Sequence, residues 1–132
     1  MDSMTVAAAY FDAWNQRDSR KIVTTFADGG TYLDPATGGA LAGEAIGHYA
    51  GGLFAAFPDL TFEVVSGGPI GENMVAAQWV MRGTNTGSLL GAPPTGKTVA
   101  LQGADFIVVD GGKIRSVRGY FDMKEFGQQL GL

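Results

Sequence analysis

Three aspartates and one tyrosine are the residues of this 132-residue chain whose types and settings could move protons. Asp34 ends a short strand pattern and stands immediately before Pro35. A carboxylate there either caps the turn by accepting from nearby backbone N–H groups or faces a pocket as a general base. Asp105 sits in an alternating run and shares its face with Val99, Leu101, Gly103, Ile107 and Val109. A carboxyl on an otherwise apolar face must be paired or must keep its proton, because burial disfavours the anion. Asp122 follows Tyr120-Phe121 at the end of the last strand pattern, where an aspartate suits the N-cap of a closing helix. Tyr10 lies on the apolar face of the first helical pattern. It is either core or a hydroxyl that donates to a developing oxyanion.

Other residues read as walls or bystanders. Trp79 shares a face with Val75, Ala77, Met81 and Asn85 and is expected to line a cavity. Trp14 and Phe54 are expected to add aromatic wall, and Asn85 a polar contact. Arg118 and Tyr120 have the strand parity of Asp122 and are expected to line the substrate site on its face, an assignment that a β-bulge would reverse. Glu63, between Phe62 and Val64, reads as solvent-facing, and His48 as an exposed helix residue.

Composition removes several chemistries. There is no cysteine, so disulfides, thiolate metal sites and cysteine nucleophiles are excluded. A single histidine leaves no basis for a Ser-His-Asp triad or a multi-histidine metal site. No cofactor or metal is expected. A net charge of −4 without a Lys/Arg cluster argues against nucleic acid or an anionic membrane as partner. No apolar run reaches ~18 residues, no signal-peptide pattern opens the chain, and a cytoplasmic location is expected. Gly91-Ala92-Pro93-Pro94-Thr95-Gly96-Lys97-Thr98 matches the P-loop spacing letter for letter. A P-loop opens a helix whose N–H groups hold phosphate; here a strand pattern follows and two prolines remove donors, so the segment reads as a hairpin connection.

The positioning elements follow from period. Residues 4–16 carry Val6, Tyr10 and Trp14 at helical spacing. Asp18 is placed to cap a second helix with Ile22, Val23 and Phe26 on its apolar face, ended by Asp28-Gly29-Gly30. A strand is expected at 31–34, a glycine-rich loop at 36–43 and a third helix at 44–57. From residue 60 the period becomes that of strands: 60–66, 74–86, 98–109 and 113–122, with turns at 67–69, 87–97 and 110–112. A short helix at 123–130 closes the chain. Apolar residues at 45% and charged residues at 17% suit one packed core, and no repeat or linker divides residues 1–132. The predicted class is α+β, with a curved, mostly antiparallel sheet wrapped over three N-terminal helices.

Two blocks carry a resemblance. Tyr10 to Asp34, "YFDAWNQRD…TFADGGTYLDP", resembles the N-terminal half of ketosteroid isomerases. The block "GTNTGSLLGAPPTGKTVALQGADFIVVDGGKIRSVRGYFD…QQLGL" is similar to SnoaL-like polyketide cyclases and related epoxide-opening cyclases. The resemblance implies the cone of the nuclear transport factor 2-like, cystatin-like superfamily. It implies that Asp34 is a proton-abstracting base, that Asp105 is a protonated oxyanion donor aided by Tyr10, and that Asp122 is the alternative base of the cyclases. The activity implied is isomerisation or cyclisation of a hydrophobic, carbonyl-bearing substrate of polyketide or steroid size, with epoxide opening or simple small-molecule binding as the alternatives. Relatives of this kind pair through the outer sheet face, which implies a homodimer. Many SnoaL-like chains have His where Asn85 stands, so a mechanism here must rest on carboxyls.

Overall fold

The computed structural model describes residues 2–132. Helix α1 spans Ser3–Asn15, and the Asp2 side chain starts it by accepting from the Thr5 N–H. Helix α2 spans Ser19–Thr24, capped by Asp18 as its position predicts. Strand β1 is Phe26–Leu33, β2 is Leu41–Ala42 and helix α3 is Glu44–Ala56. Four long strands follow: β3 Thr61–Ile70, β4 Met74–Thr84, β5 Thr98–Asp110 and β6 Lys113–Phe121. Helix α4, Met123–Gln129, closes the order. The strands form one curved, unclosed sheet in the order β2-β1-β6-β5-β4-β3. The β1–β6 pair is parallel and the others are antiparallel. The predicted α+β class and mostly antiparallel sheet describe the molecule, and no helix among the described residues is long and apolar enough to cross a membrane.

The sheet's inner face is set by the strand period. Val75, Ala77, Trp79 and Met81 of β4 meet Val99, Leu101 and Ile107 of β5 and Val117 of β6, all buried. Against this face pack Val6, Tyr10 and Trp14 of α1, Ile22 of α2 and Ile46 and Ala50 of α3. Each residue of these rows is a step of two along a strand or of three to four along a helix, which is why period alone located them.

Three expectations are corrected. Residues 26–30 belong to β1, not to the second helix or its stop. Gly29 takes φ +74°, and the ladder jumps from Phe26 opposite Ile114 to Thr31 opposite Ser116, so Asp28-Gly29-Gly30 is an irregularity within the strand. The Gly67-Gly68-Pro69 stretch is not a turn but the second half of β3, and the chain reverses between Ile70 and Met74. Proline is tolerated there because β3 is an edge strand, where one N–H need not enter the ladder. The loop expected at 36–43 contributes the two-residue strand β2, paired with Thr31 and Tyr32.

Candidate functional site

Register brings two carboxyls to one spot. Asp105 on β5 lies directly opposite Gly119 on β6. Leu33 pairs with Arg118, so Asp34, one residue past β1, reaches the same glycine. A methyl group at position 119 would stand 3.0 Å from Asp105 Oδ1 and 3.2 Å from Asp34 Cβ. The absence of a side chain at Gly119 is therefore what lets both carboxyls occupy one floor. Both are buried, Asp34 at 6% and Asp105 at 5% exposure.

Above this floor is a cavity of about 560 Å³, lined by Tyr10, Tyr32, Asp34, Tyr49 and Asp105 on its polar side. That volume lies within the ~300–1,000 Å³ common for small-molecule sites. The remaining wall is mainly apolar and includes Trp14, Phe62, Trp79 and Phe121. Trp79 is pinned: Phe62 meets it edge-on at 5.0 Å and 89°, and Phe121 stands at 6.3 Å. Its ring lies over Gly103, where any Cβ would overlap the ring.

The two carboxyls have opposite surroundings. Asp34 accepts from the Tyr32 hydroxyl at 2.6 Å and the Tyr49 hydroxyl at 2.7 Å, both on Oδ2. Its Oδ1 accepts from the Ala36 N–H at 2.7 Å. No such set of donors surrounds Asp105. Burial pushes its pKa up to about 7, the neighbouring Asp34 charge adds to the rise, and the Trp79 indole N–H opposes it. The Trp79 nitrogen nevertheless has no partner in full hydrogen-bond geometry. Tyr10 is held protonated far above the usual tyrosine range, by burial first and by the Asp105 charge second. Tyr32 and Tyr49 are raised as well, burial being the first cause in each.

The cavity's rim is organised by Asn85. Its Oδ1 accepts from the Thr95 N–H and hydroxyl, both at 2.9 Å, and its Nδ2 donates to the carbonyls of Gly87 at 2.8 Å and Ala56 at 3.3 Å. Asn85 thus ties the 87–97 connection to the end of α3. Leu89, Leu90 and Pro93 of that connection line the cavity.

Of the residues singled out from sequence, Tyr10, Asp34, Asp105, Trp14, Trp79 and Asn85 line the one cavity. Phe54 does not; it meets Trp14 edge-on, with ring centres 5.4 Å apart at 69°, and supports the wall from behind. Asp122 is exposed and caps α4, accepting from the N–H groups of Lys124 and Glu125. Arg118 and Tyr120 are on the outer face, where the Arg118 guanidinium lies 5.0 Å over the Tyr120 ring. They share the exposed side with Asp122, as their parity implies, but that side is not the pocket wall: Gly119 and Phe121, on the opposite parity, line the cavity and Val117 is buried beside them. Glu63 is exposed, as expected, and pairs with Arg82 at 3.5 Å. His48 is exposed but stands at the cavity's edge. The reading from sequence missed Tyr32, Tyr49 and Gly119. Tyr32 was legible, being two residues before Asp34 on one strand. The Tyr49–Asp34 contact spans 15 residues and has no local signal.

Compared with protein-family models, residues 4–130 match the model described as SnoaL-like polyketide cyclase. The chain belongs to that family. Among solved structures, this SnoaL-like chain resembles IdmH from Streptomyces antibioticus, assigned as a polyketide cyclase, at 24% identity and a TM-score of 0.79, over 98% of each chain. A protein of ketosteroid isomerase-like fold from Catenulispora acidiphila, in complex with trimethylamine, gives 25% identity and a TM-score of 0.80 over 96% of this chain and 92% of that one. SalBIII, an epoxide hydrolase/cyclase-like enzyme with a role in pyran ring formation in the polyether salinomycin, gives 25% and 0.77 over 92% of each. The comparison with curated proteins returns no match.

Proposed function

We propose that this member of the family is a cofactor-independent acid/base enzyme that isomerises or cyclises a hydrophobic, carbonyl-bearing, polyketide-like substrate through an enolate. The observation that carries the reading is the pair of buried carboxyls over Gly119 in unlike settings, one held by three donors and one holding its proton up to about pH 7. Asp34 takes the proton from the carbon beside the carbonyl. Protonated Asp105 donates to the enolate oxygen, with Tyr10 as the second donor. Donors fixed in a dry cavity stabilise such an oxygen strongly, because they need no reorganisation as the charge develops. The same pair could open an epoxide, Asp105 protonating its oxygen while Asp34 accepts a proton from the attacking hydroxyl; the likeness to SalBIII supports that variant. A binding-only role would suit carboxyls neutralised by arginine. Here Arg82 pairs with Glu63 and Arg115 with Asp110 at the surface, and Arg118 lies over Tyr120.

A second assignment of roles has its own support. Asp105 faces the cavity without the donors that hold Asp34, so Asp105 could itself be the base, poised near the working pH. The pH profile of turnover separates the two. With Asp105 as neutral donor, turnover falls as pH rises through about 7. With Asp105 as base, turnover rises over the same interval. If Asp34→Asn and Asp105→Asn both keep full turnover, the acid/base reading itself fails.

A further inference from the structure

Among the described residues, one buried side-chain nitrogen or oxygen has no hydrogen-bond partner, the indole Nε1 of Trp79. Leaving a buried N–H unpaired costs about 1–3 kcal/mol, so such a group is retained for a reason. Its surroundings leave it little freedom. The ring fills the space over Gly103, where a Cβ would overlap it, and Phe62 and Phe121 brace it. Trp79 pairs with Gly103, and Asp105 is the next residue of β5 on the same face. The indole edge and the Asp105 carboxyl therefore line the same part of the cavity wall.

Most other groups around Asp105 do not offer it what an anion needs. Asp34, past the end of β1, is a like charge. The hydroxyls of Tyr32 on β1 and Tyr49 on α3 already donate to Asp34. Tyr10 on α1 is the remaining hydroxyl facing the site, and His48 on α3 stands out at the cavity's edge. On β4, the strand hydrogen-bonded to β5, Trp79 lies diagonal to Asp105 and carries an uncommitted N–H.

We propose that Trp79 is the positioning residue of the Asp105 carboxyl: its fixed indole N–H stays unpartnered while Asp105 is protonated and donates to the carboxylate, which turns toward it, when the proton leaves. The role matters for catalysis only if Asp105 exchanges or donates a proton as proposed above, but the hydrogen bond itself does not depend on that reading. Trp79 would decide at which pH Asp105 gives up its proton, because an N–H that bonds only the anion favours the anion.

The test is a pH titration of the indole N–H resonances in 15N-labelled protein. The chain has two tryptophans, and Trp14→Phe assigns the signals. The Trp79 N–H is expected to move downfield with a midpoint near 7, and this movement should vanish in Asp105→Asn. In Trp79→Phe, the carboxyl-carbon midpoint of Asp105 should rise by about one pH unit, the size of one lost charge-assisted hydrogen bond. A Trp79 N–H that does not titrate, or titrates unchanged in Asp105→Asn, overturns the proposal. So does an unchanged Asp105 midpoint in Trp79→Phe. Should Trp79→Phe not fold, the comparison of wild type with Asp105→Asn decides alone. No substrate is used, so a flat titration in a protein that turns over its substrate sinks only the role of Trp79. A titrating N–H in a protein inert toward carbonyl substrates sinks only the reaction.

Discussion

Asp34 and Asp105 are the same residue type, equally buried, on one cavity floor, and separated by the space that Gly119 leaves open. They nevertheless sit in opposite electrostatic settings. Asp34 stands where a strand ends, and there the turn offers the Ala36 N–H while two tyrosines arrive from β1 and α3. Asp105 stands in mid-strand, where its own backbone groups are committed to the ladder and its strand neighbours are apolar. Equal burial thus does not mean an equal setting: a strand end supplies more donors than a strand centre, and at the strand centre burial is left to push the Asp105 pKa up.

The sharpest way to break this comparison is to neutralise each carboxyl in turn. On the proposed assignment, Asp34→Asn removes the base and should lower turnover of a carbonyl-bearing substrate by about 10²–10⁴-fold. Asp105→Asn keeps an N–H donor at the oxyanion and should lose roughly tenfold. Equal losses would mean that the two settings do not divide the work.

Stability tests the same contrast without substrate. Asp105 goes from an ordinary 3.8 to about 7 on folding. A raised value means that its contribution to stability is fully present below about pH 4 and is lost as pH rises through about 7. A shift of that size corresponds to roughly 4 kcal/mol at most. Asp105→Asn should therefore flatten the fall in unfolding free energy between acid and neutral pH, and denaturant titrations at several pH values would read it. A fall that persists undiminished in the variant would show that other groups cause it.

Gly119→Ala is the next smaller perturbation. The new methyl group meets Asp105 Oδ1 at 3.0 Å and Asp34 Cβ at 3.2 Å, so the carboxyls must part or the strands must shift. A loss of about 1–3 kcal/mol is expected in thermal or denaturant unfolding. An unchanged stability would place the carboxyls farther apart than the register implies.

The smallest effect belongs to the tyrosines. Tyr32→Phe and Tyr49→Phe each remove one donor from Asp34 and should each cost about 1 kcal/mol or somewhat more. The cost should be lower at Tyr49, which is only half-buried and where water can replace the hydroxyl. Thermal unfolding of the pair and of the double variant would show whether the hydroxyls act independently on the one oxygen they share.

Much of this protein was determined by local sequence. The step-of-two rows of β4 and β5 located the inner face and put Asp105 on it, and the step of four in α1 put Tyr10 and Trp14 opposite. Asp18 and Asp122 stand where a cap is needed, and both cap. Such features depend on neighbours within a turn or a strand, so the sequence carries them directly. Other features depended on which strands pair and in what register. Gly67-Gly68-Pro69 has the composition of a turn but lies in β3, because pairing with β4 across nine partner positions outweighs local preference. Arg118 and Tyr120 had a definite parity, but which parity faces inward was decided by the β6 register against β5, and the answer turned both outward. The meeting of Asp34, Asp105 and Tyr49 over Gly119 was decided last and only in three dimensions. It joins a strand end, a strand centre, a helix and a missing side chain from four elements. Periodicity says which way a residue points, but only packing says what it meets.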